Sequence, residues 1–121
     1  MVAFCEMDDH ISIRDQLGEQ SISPVTLVNI FNVEPADVDQ FLSAWESDAL
    51  FFMAQPGFVS TQLHRGIAGS TTFLNYAVWD SVAQFRAAFG SPEFQAKLGA
   101  YPEGAKTSPH LFRKLSVDGI C

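Results

Sequence analysis

The order of apolar runs along this 121-residue chain predicts a single α+β domain, β-α-β-β-α-β, with an antiparallel sheet. Three observations carry that expectation. Residues 25–32 (VTLVNIFN) and 72–79 (TFLNYAVW) are rich in β-branched and aromatic residues, which favour strands. Val38, Phe41, Leu42, Trp45, Ala49, Phe52 and Met53 recur at helical spacing between them. AGST at 68–71 is a short turn between two strand-like runs, the signature of an antiparallel hairpin.

Taken in order, 25–32 reads as a buried strand, and Pro35 suits the first turn of a helix that runs to about Met53. The helix is broken by QPG at 55–57, and FVSTQLHRGI (58–67) is the second strand. After the third strand, Ser81 and Gln84 form an S-x-x-Q capping pattern that opens a second helix, with Val82, Phe85 and Phe89 on its buried side. Gly90 interrupts that helix, and Ser91 with Pro92 restarts it, placing Phe94 and Leu98 four apart. YPEGAKTSP is read as a loop and HLFRKLSV (110–117) as the fourth strand, which completes a ferredoxin-like order. Residues 25–117 form the domain and 118–121 a short tail; residues 1–24 are weakly patterned, either a mobile arm or a segment packed on a partner subunit.

Seven basic against 14 acidic residues give a formal charge of -7, which argues against nucleic acid or an anionic membrane surface as partner. No apolar run approaches the roughly 20 residues of a membrane span, and MVAFCEMDDH lacks the pattern of a secretory leader. Cys5 and Cys121, at opposite ends, form neither a metal-ligand spacing nor a disulfide framework, so a cytoplasmic protein with incidental thiols is expected. His10, His64 and His110 are scattered, which supports no metal site, and no nucleotide-binding or nucleophile-elbow motif is present.

Alternation along 73–79 puts Phe73, Asn75, Ala77 and Trp79 on one sheet face and Leu74, Tyr76 and Val78 on the other. By the same rule Phe58, Ser60, Gln62 and His64 share a face of the second strand, and Leu27, Asn29 and Phe31 a face of the first. If those sets face the helices, Trp45, Phe85, Phe89, Phe94 and Leu98 close an aromatic-lined pocket carrying a few polar groups: Asn29, Asn75, His64 and the Trp79 indole N–H. Such a composition suits a flat, apolar, oxygen-bearing ligand. Each polar residue also has a structural role open to it: an amide can satisfy a loop, Trp79 can be core, and His64 can be solvated at a strand end. Two helices cover only one sheet face, so the Leu74, Tyr76, Val78 face, extended by Val59 and Leu63, is expected to pack against a second copy of the chain.

PGF (56–58), LHR (63–65), NYAVWDS (75–81), SPEF (91–94) and PHLF (109–112) together resemble the antibiotic biosynthesis monooxygenase domain over roughly residues 25–115. The NYA-x-W-x-S run is most similar to the cofactor-independent oxygenases that convert anthrones or naphthacenones to quinones. The resemblance implies a dimeric α+β barrel, no metal or organic cofactor, and a small aromatic substrate with molecular oxygen. By the same resemblance Asn75 binds a substrate carbonyl or enolate oxygen, Trp79 offers its indole N–H to the oxygen species, and His64 is a pocket histidine. Asn29, Trp45, Phe58, Phe85, Phe89 and Leu98 are the expected substrate-binding residues. Two departures stand out: the pocket tyrosine of the polyketide oxygenases is replaced by Phe85, and Gly99 lies near the place of their arginine. In the haem-degrading relatives the iron ligand would fall at Leu98, which cannot ligate iron. The expected reaction is oxidation of an electron-rich aromatic or hydroquinone-type substrate to a quinone, with His64 the best available base. A polyketide cyclase or isomerase, or a small-molecule binding protein, are the alternatives on the same fold.

Overall fold

The structure is a computed structural model and describes residues 2–121. Its strands are β1 (Ala3–Phe4), β2 (Val25–Asn32), β3 (Phe58–Arg65), β4 (Thr72–Trp79) and β5 (Lys106–Phe112). Its helices are α1 (Ile13–Gln16), α2 (Val38–Met53), α3 (Val82–Phe89) and α4 (Pro92–Lys97), with 3-10 turns at Pro35–Asp37 and Leu98–Ala100. The sheet order is β1-β5-β2-β4-β3. Strand β2 runs antiparallel to both β4 and β5, and β4 runs antiparallel to β3. Without β1, this is the predicted ferredoxin-like sheet, with the first and third core strands at its centre.

Local chemistry explains the joints. Ser81 caps α3 by accepting from the Gln84 backbone N–H at 3.2 Å. The chain enters β3 through Gly57, whose φ of 87° lies in the left-handed region. A Cβ there would stand 2.4 Å from the Gln84 side chain, so both the conformation and the space demand glycine. Ser91 caps α4 in the same way as Ser81 caps α3, and Pro92 fills the position where a missing N–H costs nothing.

Both layers meet in one aromatic interior. Phe31, Phe41, Phe73, Phe94, Leu98 and Tyr101 anchor one end, and Leu27, Ala77, Trp79, Val82, Phe85 and Leu111 the other. Phe51, Phe52 and Phe89 pack against both. The reverse sheet face carries no helix. There Leu74 and Val78 are half-buried and Tyr76 is 40% exposed.

Three expectations need correction. The first concerns β3. A bulge lies between Phe58 and Ser60, so Ser60 pairs with Val78, Thr61 with Ala77, Gln62 with Tyr76, Leu63 with Asn75 and His64 with Leu74. One extra residue reverses the alternation beyond it. Thr61 and Leu63 therefore face the helices, whereas Ser60, Gln62 and His64 join the open face.

The second concerns β5, which starts at Lys106 rather than His110 and stops at Phe112. Pro109 sits inside it, opposite Asn29. That is tolerated because β1 pairs with β5 only at Lys106 and Thr107, leaving no strand to need an N–H from Pro109. The third concerns β3's end: it closes at Arg65, and Ile67, assigned to the strand, is 90% exposed in the turn.

The N-terminal segment docks on its own chain. Cys5 donates its backbone N–H to Thr107 O at 2.9 Å, and Ala3 to Ala105 O at 3.0 Å. Gln16 pairs with both backbone groups of Leu111, each at 2.9 Å, as a strand would. Strand β1 thereby extends the sheet as a fifth strand and brings Val2 and Phe4 beside the interior.

Candidate active site

Alternation along β4 places Phe73, Asn75, Ala77 and Trp79 on the helix-facing side, in register with Phe31, Asn29, Leu27 and Val25 of β2. Asn29 and Asn75 are thus direct cross-strand neighbours. Three residues lie between Asn75 and Trp79, a rise of roughly 13 Å along the strand. Ala77 between them is small, and the helices do not fill the gap above it completely. A cavity of about 60 Å³ remains, lined by both asparagines, Thr61, Trp79, Phe52 and Asp48 among others.

Each amide is held by a different partner. Asn29 Oδ1 accepts from the Ser108 backbone N–H at 3.0 Å and from the Thr107 hydroxyl at 2.7 Å. A backbone N–H can only donate, so the orientation of this amide is fixed and its NH₂ end is left over as a donor. Asn75 Oδ1 accepts from the Thr61 hydroxyl at 2.5 Å. That leaves the Asn75 NH₂ as the second spare donor on the sheet wall. Trp79, 1% exposed, is boxed edge-on by Phe52 at 5.8 Å, Phe58 at 5.5 Å and Phe85 at 5.6 Å between ring centroids. Such packing fixes the indole plane.

The helix wall differs in kind. Asp48, 5% exposed on α2, lines the cavity beside Tyr101. The Tyr101 hydroxyl donates to Asp48 Oδ2, while Oδ1 is buried with no hydrogen-bond partner among the described residues. Burial pushes the Asp48 carboxyl up to about 6, against the Tyr101 hydrogen bond and the charge of Lys97, which both lower it. Burial and the neighbouring carboxylate push the Tyr101 hydroxyl up in turn, so it remains a donor.

Of the residues singled out from sequence, Asn75, Trp79, Asn29, Trp45, Phe58, Phe85, Phe89 and Leu98 all border this cavity. His64 does not. The bulge puts it on the open sheet face, opposite Leu74, and exposed. Sequence reading missed Thr61, Asp48, Tyr101, Val2 and Phe4, which also border the cavity. A signal for Asp48 existed: it stands seven residues after Phe41 and four before Phe52, on the same helical stripe. Tyr101 and the two N-terminal residues carry no such periodicity.

Among the described residues no group of three or more His, Cys, Asp or Glu side chains could hold a metal ion. Nor is any helix long and apolar enough to cross a membrane. At about 60 Å³ the cavity takes a few water molecules and is several-fold below the roughly 300–1,000 Å³ of sites for drug-sized ligands. Its rim includes Phe4, 47% exposed and in edge contact with Phe89 at 6.4 Å between centroids.

Residues 24–97 match the family model described as antibiotic biosynthesis monooxygenase. The chain is 38% identical over 103 residues to a tetracenomycin-F1 monooxygenase of Streptomyces glaucescens, covering 78% of this chain and 89% of that one. It is 39% identical over 70 residues to a deoxynogalonate monooxygenase of Streptomyces nogalater, a match that spans 58% of each. In structure it is similar to SnoaB, a cofactor-independent oxygenase from Streptomyces nogalater, with a TM-score of 0.70 and 32% identity over 80% of this chain and 98% of that one. With more than half of its length matched by one family model, and relatives of this identity over most of its length, the chain belongs to the antibiotic biosynthesis monooxygenase family.

Proposed function

We propose that the protein is a cytoplasmic monooxygenase that needs no metal or organic cofactor and oxidises an electron-rich polycyclic aromatic or hydroquinone-type substrate with molecular oxygen to a quinone. The observation that carries this reading is the placement of Asn75 and Trp79 on one strand face, above one aromatic-walled cavity.

Triplet oxygen reacts slowly with closed-shell molecules, so an enzyme without a cofactor must make its substrate electron-rich. Deprotonating an anthrone or hydroquinone does that. The spare N–H groups of Asn75 and Asn29 stabilise the oxygen that becomes negative, lowering the energy of the anion. Electron transfer to oxygen and recombination give a peroxide, positioned by the Trp79 indole N–H. Loss of water leaves the quinone carbonyl. The surrounding phenylalanines exclude water from these intermediates.

A substrate of three or four fused rings requires the cavity to open. The rim at Val2 and Phe4 is the part that gives way, because β1 is only two residues long and lies at the sheet edge. We further propose a homodimer through the helix-free face carrying Leu74, Tyr76 and Val78.

Metal-stripped protein should accelerate oxygen uptake with an anthrone at one oxygen per carbonyl formed. No acceleration across a panel of anthrones and hydroquinones would sink the proposal. Turnover that continues under nitrogen would transfer the site to cyclase or isomerase chemistry.

A further inference from the structure

Asp48 is a buried lining residue of the cavity, and the oxidation described above leaves it idle. Asp48 lines the cavity together with Asn29 and Asn75, one of its carboxylate oxygens is held by Tyr101, and the other is buried with no partner among the described residues. The sheet wall supplies only neutral groups, Asn29, Asn75, Thr61 and Thr107. The charged and titratable groups acting on Asp48 come from the helix side, Tyr101 and Lys97. The cavity therefore has donors on the sheet and one open anionic acceptor on the helix.

We propose that Asp48 is the catalytic base, its free Oδ1 taking the proton whose loss turns the substrate into an enolate, while Tyr101 holds the other oxygen. This deepens the oxygenase reading and rests on it. His64, which the sequence suggested for this task, faces away from the cavity, and Asp48 takes its place.

The step balances as follows. A substrate C–H bond of an anthrone methylene breaks heterolytically. Its proton goes to Asp48 Oδ1, and its electron pair stays on the substrate as enolate or phenolate, with the oxygen facing Asn75. For the methylene substrate, that carbanion carbon and dioxygen form a C–O bond, giving a peroxide anion. The peroxide recovers the proton from Asp48. The hydroperoxide then loses the remaining C–H proton and the distal hydroxide as one water, leaving C=O. Dioxygen is the oxidant, and the net change is CH₂ plus O₂ to C=O plus H₂O. A carboxyl raised to about 6 is still mainly ionised at neutral pH and is a stronger base than a solvated aspartate. Tyr101 is a positioning residue: it orients Asp48 and does not itself take the proton.

Two readouts separate this assignment from the oxygenase reading. The first is deuterium exchange into the anthrone methylene under nitrogen, which reports proton abstraction without oxygen chemistry. The second is oxygen uptake in air. Wild type should catalyse both, with rates rising through a single ionisation near pH 6. Asp48→Asn, close to isosteric, should lower both at least a hundredfold and abolish that inflection. Turnover should return when alkaline buffer supplies the substrate already ionised. Tyr101→Phe keeps the carboxylate but removes a hydrogen bond that favours its charge, so the inflection should move upward while both activities survive in part.

Exchange without oxygen uptake in wild type would overturn the oxygenase reading and leave Asp48 as a base. Uptake and exchange that persist in Asp48→Asn within threefold would overturn the assignment of Asp48 and leave the oxygenase. An unmoved inflection in folded Tyr101→Phe would also count against it, and neither activity in wild type would overturn both.

Discussion

The two walls of the cavity are built from the same kinds of hydrophobic residue yet carry opposite chemistry. The sheet wall offers Asn29 and Asn75, neutral amides whose oxygens are tied to Ser108, Thr107 and Thr61 and whose NH₂ groups are spare. The helix wall offers Asp48, with one oxygen tied to Tyr101 and one spare. In each case a partner occupies part of the polar group, and at Asn29 the Ser108 backbone N–H fixes which end remains. The sheet end is thereby committed to donating and the helix end to accepting. A substrate that becomes an anion needs both, because its proton must leave toward an acceptor while its oxygen gathers charge beside donors.

The contrast can be broken from the sheet side first. Asn75→Ala should cost about 10²–10³ in turnover, the range for losing a donor that faces a developing negative charge. Thermal stability should change little by comparison, which circular dichroism can check. Thr61→Val should cost about tenfold, since it releases the Asn75 amide without removing it, and Thr61→Ser should restore most of the loss.

From the helix side, stability itself reports the acceptor. Asp48 has its carboxyl raised to about 6 in the folded protein from an ordinary value of 3.8. Below about pH 4 the carboxyl is protonated in both folded and unfolded chains and costs nothing extra. As pH rises through 4 to 6 the unfolded chain ionises first, so folding stability falls, by of order 2–3 kcal/mol in total. Wild type should therefore lose several degrees of melting temperature across that interval relative to Asp48→Asn, with no further divergence above about pH 7. A parallel pair of curves would mean that the carboxylate is not desolvated.

The smallest effect belongs to His64. His64→Ala should leave turnover within twofold, since the side chain lies on the far side of the sheet. A larger loss would place that face in the site and undo the division between the walls.

What was legible in the sequence follows a physical rule. The stripe of Phe41, Trp45 and Phe52 and the alternation of Phe73, Asn75, Ala77 and Trp79 are periodic, and periodic residues declare their face. They yielded the ferredoxin-like order and eight residues that border the cavity. Non-periodic features were invisible. The bulge beside Val59 has no composition of its own and misdirected every polar residue of β3. The run of Pro109 hid the start of β5, because proline argues against a strand unless the neighbour that would need its N–H is absent. Tyr101 reaches the cavity from just beyond a 3-10 turn that only the folded chain brings close, and it puts a phenol hydroxyl into a site whose expected tyrosine position holds Phe85. Asp48 was legible in spacing but was passed over, since charged residues are rarely interior.

The bulge at Val59 makes loss of a residue and gain of a residue very different events for this protein. Any substitution at Val59, which is 53% exposed, leaves the rest of β3 facing as it does. Deleting it would remove the bulge and make Phe58–Trp79 and Ser60–Val78 consecutive pairs, so Thr61 and Leu63 would still face the helices and Gln62 and His64 the open face. A residue inserted after Ser60 would instead turn Thr61 and Leu63 outward and carry Gln62 and His64 inward, losing the hydroxyl that holds Asn75 and adding an imidazole to the same wall.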